Sequence, residues 1–238
     1  MKYKKVITGR FISRPNRFIA YVEIDGKTET VHVKNTGRCR ELLIPGSTVI
    51  LEVSDNPKRK TAFDLIGVYK ENFGVRKERS LINMDSQAPN QVVREWLEKK
   101  DYSLVRPEYK FGDSRLDFYC ERTCNDGTVE KHLMEVKGVT LERDGIAYFP
   151  DAPTIRGVKH LRELQRAVAL GYQCSVLFVV QMDGITTVRA NRQMHAEFAD
   201  ALEEAKASGV QVLVLTCKMT EDTIEIVEES KENGSKDK

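Results

Sequence analysis

Alternation of apolar and polar residues dominates the first eighty positions of the chain. The runs FIAYVEIDG and ETVHVKN meet at the turn signal DGK, and STVILEVSD and TAFDLIGVYK flank the basic turn NPKRK. Alternation with period two is typical of strands, and each pair joined by a short turn predicts a β-hairpin. Between the hairpins, GRCRELL predicts a short helical piece that ends at Pro45-Gly46. Four or five twisted strands of this kind favour a small closed barrel with an OB-like Greek-key order.

The pattern becomes helical after residue 87, and helices and strands then follow one another. QVVREWLEKK places its valines, tryptophan and leucine on one helical face, and strand patterns follow at 103–111, 114–122 and 129–140. A helix over 154–170 leads to CSVLFVVQ, an apolar run typical of a strand that is covered on both faces. NRQMHAEFADALEEAKASG predicts a further helix, which ends at its glycine before the strand VQVLVLTCK. This order predicts an α/β layer with a mixed sheet.

The break between the two patterns predicts the domain organisation. ENFGVRKERSLINMDSQAPN interrupts the strand pattern with a glycine and a proline. We therefore predict an OB-like domain over 1–80 and a mixed α/β domain over 81–220. Residues 221–238 are charged and lack aromatic side chains, which is typical of a partly disordered tail.

Composition is typical of a globular protein with its own hydrophobic core. With 238 residues and 40% hydrophobic content, the chain can bury a substantial core. No run of about 18 apolar residues spans a bilayer, and the first residues lack a signal-peptide pattern, so we expect a cytoplasmic protein without a membrane partner. Five cysteines without a CxxC pair favour reduced thiols, although Cys120 and Cys124 flank a turn and leave a disulfide or half a metal site open.

Charge is distributed unevenly along the chain. The net charge is +2, but residues 1–80 hold 17 Lys and Arg against 9 Asp and Glu, whereas residues 219–238 hold 3 against 7. A basic first domain predicts a polyanionic partner, and the alternative is a solvated surface with a chance bias.

The strand HLMEVKGVTL carries the candidate chemistry. Side chains two apart in a strand point to the same face, so Glu135 and Lys137 project together. The preceding strand SRLDFYC places Asp117 where the hairpin turn brings it beside Glu135. Paired carboxylates repel each other unless a cation lies between them, and Mg²⁺ or Mn²⁺ prefers oxygen ligands. Such an ion activates water for phosphodiester hydrolysis. The alternative for Glu135 and Lys137 is a plain salt bridge on the sheet.

These elements follow the chain order of the PD-(D/E)XK nuclease core: a helix, a hairpin with an acid, a strand with Glu-x-Lys, a helix and a buried strand. The chain also resembles the sugar fermentation stimulation protein family along nearly its whole length, through NTGRCRELLIPG, NPKRKTAFDL, RLDFY, EVKGVTL and YFPDAPTIRGVKHLREL. The resemblance implies an OB-fold domain, a PD-(D/E)XK nuclease-like domain and DNA binding. By position it implies that Asp117 is the first acid and that Glu135 and Lys137 form the acid-x-lysine pair. Leu116 stands where the superfamily has its proline.

Further side chains are candidates for the same site. Glu95 on the first helix of the second domain is a candidate metal ligand or an exposed glutamate, and Glu108 faces either the site or solvent. Arg156 and His160 share one polar stripe of the following helix and either contact a phosphate or form a solvated face. Asp151 or Thr154 is expected to cap that helix.

Cations of the first domain are predicted to contact nucleic acid. Interleaved cations and aromatics suit an OB surface that binds phosphates and stacks bases, although aromatics at strand spacing more often belong to a core. The candidate cations are Arg10, Arg14, Arg17, Arg38, Arg40, Lys58, Arg59 and Lys60.

Three functions are compatible with these features. The first is DNA binding with a nuclease site that uses Mg²⁺ or Mn²⁺. The second is a DNA-binding regulator of sugar metabolism without catalysis, and its link to sugar rests on the family name. The third is an RNA-binding or RNA-processing module. Substrate structure and oligomeric state are left open by the sequence.

Overall fold

The N-terminal part of the chain forms the predicted barrel. The computed structural model describes residues 1–35 and 37–231. Five strands run in the order β3-β2-β1-β4-β5, the barrel closes where β3 pairs in parallel with β5, and a sixth strand extends the sheet beyond β5. The strands are β1 (Val6–Ser13), β2 (Ile19–Ile24), β3 (Lys27–Val33), β4 (Thr48–Val53), β5 (Phe63–Phe73) and β6 (Glu78–Asn83).

The alternation that predicted these strands places their apolar side chains inside the barrel. In β2, Ala20 and Val22 are fully buried while Tyr21 and Glu23 are exposed, as expected for a strand with one face on the core. Apolar side chains of the barrel join the same core as two helices of the second domain, so the two parts share one buried interior.

The second part is the predicted mixed α/β domain. Its main sheet has the order β15-β14-β12-β9-β8-β7, and a small sheet of order β10-β11-β13 lies beside it. The elements are α1 (Ala88–Leu97), β7 (Leu104–Phe111), β8 (Ser114–Thr123), β9 (Val129–Val139), β10 (Leu141–Arg143), β11 (Ile146–Phe149), α2 (Ile155–Ala169), β12 (Gln173–Val180), β13 (Val188–Ala190), α3 (Ala196–Ala207), β14 (Gln211–Met219) and β15 (Ile224–Lys231).

Helices cover both faces of the main sheet. Helix α1 buries Val92, Val93 and Leu97 against Met134 and Leu177 on one face. Helices α2 and α3 pack on the other face, where Phe149 contacts Phe178 and Phe198 with ring centroids 5.6 and 5.1 Å apart. Strands β9, β12 and β14 are parallel and buried on both faces, which explains the unbroken apolar run CSVLFVVQ.

A buried polar cluster joins the two domains. The amide nitrogen of Gln181, just after β12, donates to Asn83 Oδ1 and to the Asp85 carbonyl, each at 3.0 Å. Asn83 donates to the Tyr3 hydroxyl at 2.9 Å, and Lys34 forms an ion pair with Asp85 at 2.9 Å. These bonds fix the barrel against the end of β12.

Three predicted features differ from the structure. The boundary at residue 80 falls inside β6, which pairs with β5, so the first unit ends after Asn83. GRCRELL forms only a hydrogen-bonded turn, because Cys39 has a left-handed backbone with φ of 45° and interrupts a helix. Within the predicted tail, β15 pairs with β14, because Ile224 and Ile226 alternate with polar residues and pack on the core. Residues 232–238 lie outside the described residues.

In the described part of the chain, no helix is long and apolar enough to cross a membrane. All five cysteines lie within that part and are free thiols, so the Cys120–Cys124 disulfide is not formed.

Candidate functional site

The predicted carboxylates meet at the point where β8 and β9 separate. Backbone pairing between the two strands runs from Thr123 opposite Val129 to Phe118 opposite Met134. One position further along the same register lie Asp117 and Glu135. Here the Asp117 side chain replaces a backbone acceptor, and its Oδ2 accepts the Val136 N–H at 2.7 Å. Where the strands separate, the Asp117 carboxylate therefore takes the place of the backbone carbonyl that would otherwise accept this N–H.

Asp117 has a second partner on α1. Asn90 lies in the first turn of the helix, and its amide nitrogen donates to Asp117 Oδ1 at 2.8 Å. Both carboxylate oxygens are therefore fixed in position, while the Asp117 side chain stays half-buried. A half-buried carboxylate with fixed oxygens is suited to a ligand that approaches from the open side.

Glu135 is almost fully buried and has two partners on one oxygen. Lys137 Nζ donates to Glu135 Oε1 at 2.5 Å, and His160 Nδ1 on α2 bonds to the same oxygen. The other oxygen, Oε2, is buried and has no hydrogen-bond partner among the described residues. The two other unpaired buried oxygens in the described chain are Ser114 Oγ and Glu163 Oε2. An unpaired buried carboxylate oxygen is costly unless a ligand satisfies it.

Helix α2 extends this cluster towards solvent. Arg156 Nε donates to His160 Nε2 at 3.3 Å, so the partners of His160 assign the proton of a neutral ring to Nδ1. Thr154 caps the helix as predicted, since its hydroxyl accepts the Gly157 N–H at 3.0 Å. Arg156 itself is exposed at the start of α2 and remains open to an anionic ligand.

The two carboxylates have opposite pKa shifts. Burial and the neighbouring Glu135 charge raise the pKa of Asp117 above its ordinary value, against the Val136 N–H and Lys137. Burial also acts to raise the pKa of Glu135, but Lys137 and His160 outweigh it and hold that pKa below its ordinary value. The Asp117 charge is thus the less favourable one, and a cation beside it would remove the repulsion.

The donor set fits a hard divalent cation with an open coordination sphere. Asp117 and Glu135 Oε2 are oxygen ligands, and Mg²⁺ is commonly held by one or two carboxylates with water and substrate oxygens. The described residues contain no group of three or more His, Cys, Asp or Glu side chains that could hold a metal ion. A cation here would therefore need further ligands from water or from phosphate.

Comparisons with known proteins identify the family. The family model described as the sugar fermentation stimulation protein RE domain matches residues 87–223, and the SfsA N-terminal OB domain matches residues 12–76. The chain belongs to the SfsA family. The sugar fermentation stimulation protein homologue of Desulfitobacterium hafniense is 55% identical over 228 residues and covers 94% of this chain and 95% of its own. The Clostridium beijerinckii homologue is 52% identical over 230 residues, with coverage of 95% and 96%.

A solved SfsA structure shares the fold. The structure of Pyrococcus furiosus SfsA in complex with Ca²⁺ has a TM-score of 0.78 and 24% identity, and it covers 96% of both chains. The arrangement of a barrel followed by a mixed α/β domain is therefore found in a second SfsA protein.

Two further candidate acids of the SfsA chain lie near Asp117, and each has an ion-pair partner of its own. Glu95 forms an ion pair with the Met1 ammonium group at 2.6 Å, and it also lines a cavity that contains Asp117 and Glu108. Glu108 is exposed and pairs with Arg115 at 3.0 Å. The structure thus joins Glu135 to Lys137 and His160, and His160 to Arg156, by direct contacts, while Glu95 and Glu108 share the wall of a cavity with Asp117.

The candidate cations of the barrel divide into two groups. Arg14 is folded over the loop after β3 and donates to the carbonyls of Asn35 and Gly37 at 2.6 and 2.8 Å. Arg59 forms a bidentate pair with Asp64 at 2.6 Å. Both guanidinium groups are therefore held by internal hydrogen bonds, and their contact with nucleic acid stays a prediction. Arg10 donates to the Gly46 carbonyl at 3.2 Å but remains exposed. Five other cations are exposed without a side-chain partner among the described residues: Arg17, Arg38, Arg40, Lys58 and Lys60.

Two residues that the structure places at the site and at the domain junction, Asn90 and Gln181, were not predicted from the sequence. Asn90 follows a proline in QAPN, and this helix-start signal indicates a polar group in the first turn. Gln181 ends the apolar run CSVLFVVQ, and a polar residue at the end of a buried parallel strand is a common mark of a ligand site or a domain junction.

Proposed function

We propose that this SfsA protein binds DNA through its barrel and hydrolyses phosphodiester bonds with a divalent cation, Mg²⁺ or Mn²⁺, held by Asp117 and Glu135. The proposal rests chiefly on Glu135 Oε2, a buried carboxylate oxygen without a partner in the described chain. It lies beside a second carboxylate whose pKa is raised partly by the Glu135 charge. A purely structural ion pair gains nothing from leaving that oxygen unsatisfied.

The surrounding residues have separate roles in this proposal. A bound Mg²⁺ or Mn²⁺ supplies a Lewis acid and a water of lowered pKa. Asp117 and Glu135 provide the carboxylate oxygens, and Asn90 and the Val136 N–H keep Asp117 in position. Lys137 balances charge that grows on the phosphate.

Helix α2 provides two further side chains to the proposed site, His160 and Arg156. His160 Nδ1 bonds to one oxygen of Glu135, which leaves the other oxygen free for the cation. Arg156 contacts His160 and is exposed to solvent, so in this proposal it binds a phosphate oxygen.

Two observations support the proposed cation. The related Pyrococcus furiosus protein was solved in complex with Ca²⁺, a cation that also prefers oxygen ligands. The order of elements around Asp117 and Glu135, from α1 through the β8–β9 hairpin to α2 and β12, is the order expected of a PD-(D/E)XK nuclease core.

A non-catalytic DNA-binding regulator is the second candidate. It is favoured by the absence of any group of three potential metal ligands in the described residues and by the internal pairing of Glu135 with Lys137 and His160. In that case the cluster stabilises the sheet, and DNA binding alone is the function.

Substitution of Asp117 by asparagine tests the proposed nuclease. We expect Asp117→Asn to lose Mn²⁺ binding in calorimetric titrations and to cut labelled single-stranded, duplex and branched DNA at least about 10²-fold more slowly than the parent. Asp101→Asn, an exposed aspartate of the same domain, is the matched control and should behave as the parent. Equal cutting by Asp117→Asn, or no metal-dependent cutting by the parent on any DNA, would leave the regulator as the better reading.

Substitution of Arg38 and Arg40 tests the barrel as the DNA-binding part. The double variant Arg38→Ala/Arg40→Ala should bind duplex DNA several-fold more weakly, and each lost phosphate contact should reduce the slope of log affinity against log salt by about 0.9. Lys218→Ala removes an exposed charge from the other domain and should leave both quantities unchanged. An unchanged salt slope in the double variant would contradict the proposed surface. Competition between matched DNA and RNA oligonucleotides separates the RNA-binding alternative.

A further inference from the structure

A cleft of about 370 Å³ opens at the junction of the two domains, next to the carboxylate cluster. One wall comes from the loop after β3, with Asn35 and Gly37, and a second from the start of α1. The third wall is the segment 148–154, which runs from the end of β11 to the start of α2, and the end of β9 forms the floor. The cleft therefore combines barrel and sheet in one concave surface of the size common for small-molecule sites.

The cleft begins next to Asp117. Asn90 and Val136 both line it, and these are the two residues that donate hydrogen bonds to the Asp117 carboxylate at 2.8 and 2.7 Å. A phosphate bound at Asp117 and Glu135 would have its adjoining nucleoside at the mouth of this cleft.

The back of the cleft is rigid. Gly138 lies so close to its neighbours that an added Cβ would be 2.4 Å from Gln181 Oε1 and 2.7 Å from Pro89 Cγ. Gln181 is in turn held by Asn83 and Asp85 of the barrel side. Because this floor cannot recede, a ligand has to fit the existing space, and a base pair in a continuous duplex cannot enter it.

The polar groups of the cleft favour a base over a phosphate. Asp151 lines it, is half-buried, and has no hydrogen-bond or ion-pair partner among the described residues. A carboxylate accepts hydrogen bonds and repels a phosphate, so its natural partner is an amino group or ring N–H of a base. Tyr148 provides a half-buried aromatic ring in the same wall, with the Arg143 guanidinium 5.8 Å from its centroid, whereas Phe149 is fixed between Phe178 and Phe198. Such a ring is a stacking surface for a base.

We propose that this cleft binds one unpaired nucleobase of the bound strand, with its amino group on Asp151 and its ring on Tyr148. The inference rests on the proposed nuclease function and adds a substrate class to it. The preferred substrates are DNAs with an unpaired nucleotide next to the scissile phosphate, namely single strands, overhangs, bulges and branches. A continuous duplex has to release a base before the cleft can be filled.

Binding without cutting provides the first test. In EDTA, a duplex with one unpaired 2-aminopurine and the same duplex fully paired are titrated with the parent protein, and fluorescence reports stacking of the base. We expect the parent to prefer the unpaired duplex by about tenfold, since one hydrogen bond to a charged group is worth about that factor. Asp151→Asn and Tyr148→Leu should each lower the preference towards unity. Asp183→Asn, an exposed aspartate outside the cleft, should retain it.

Cutting in Mn²⁺ provides the second test and separates the two proposals. The parent should cut the substrate with the unpaired base faster than the paired duplex. If Asp151→Asn cuts the unpaired substrate only as fast as the paired duplex, the cleft is part of the nuclease site. The same binding preference in the parent and in a correctly folded Asp151→Asn variant overturns the cleft proposal, whatever is cut. A preference that Asp151→Asn abolishes, without cutting of any DNA, overturns the nuclease and retains the cleft as a base-binding site.

Discussion

Replacement of Lys137 by alanine is expected to slow DNA cutting by about 10²–10³-fold while Mn²⁺ still binds, since loss of one positioned charge at a reacting phosphate typically has this effect. Lys137 Nζ contacts Glu135 Oε1 at 2.5 Å, and its side chain is only 13% exposed. The positive charge therefore acts in a partly dry environment, where it is stronger than in water. Asp117 and Glu135 remain in the variant, so the proposed oxygen ligands of the cation persist.

Single-turnover cutting at saturating Mn²⁺, together with calorimetric titration of the cation, measures the two effects separately. Lys137→Met, which fills a similar volume without charge, should be as slow as Lys137→Ala if charge is the cause. Lys159→Ala provides the control, because Lys159 lies on the same helix as His160 but donates to the Asp113 carbonyl at 2.8 Å. Parental rates in both Lys137 variants would remove the lysine from the mechanism.

Acidification from pH 7.5 to 5.0 is expected to reduce the free energy of unfolding by about 2 kcal/mol through His132 alone. The ring of His132 bonds to Ser175 Oγ at 2.8 Å and to the Tyr102 hydroxyl at 3.1 Å. Burial, with a smaller effect of Arg122, lowers the pKa of His132 to about 4. The unfolded chain has the ordinary value of about 6.5 and binds the proton first. The stabilisation is therefore complete above pH 6.5 and is lost as the pH falls towards 4.

Urea unfolding of the parent and of His132→Gln at the two pH values isolates this effect. Glutamine keeps a polar side chain but does not titrate, so the variant should lose about 2 kcal/mol less than the parent over the same pH range. Equal pH dependence in the two proteins would show that His132 does not carry the loss.

Periodicity along the chain predicted the part of the site that depends on strand geometry. Glu135 and Lys137 are two apart in a buried strand, and this spacing alone places them on one face. Asp117 required one further assumption, the register of the β8–β9 hairpin, which the turn signal NDG supported and the pairing of Phe118 with Met134 confirms. Local pattern was sufficient because neighbouring strands of a hairpin are fixed by their turn.

Periodicity along the chain could not predict contacts between segments that are far apart in sequence. Asn90 and Asp117 are 27 positions apart in sequence, and Gln181 and Asn83 are 98 apart. Neither hydrogen bond follows from the local alternation of apolar and polar residues. The ion pair of Arg59 with Asp64 on the next strand was likewise not predicted from the sequence. The strand β15 was missed because the density of charge in its sequence outweighed the alternation of Ile224 and Ile226.

The buried amide of Gln181 limits which part of the chain can be replaced by the corresponding part of a related protein. Two family models divide the chain, yet neither segment contains the whole set of hydrogen-bond partners at the junction, since Asn83 and Asp85 lie between the two matched ranges. A barrel taken from a distant relative would leave a donor without its acceptor in a dry interface, at a cost of about 1–3 kcal/mol for each unpaired group. The unit that can be transplanted is therefore the barrel together with this connecting segment and a matching glutamine.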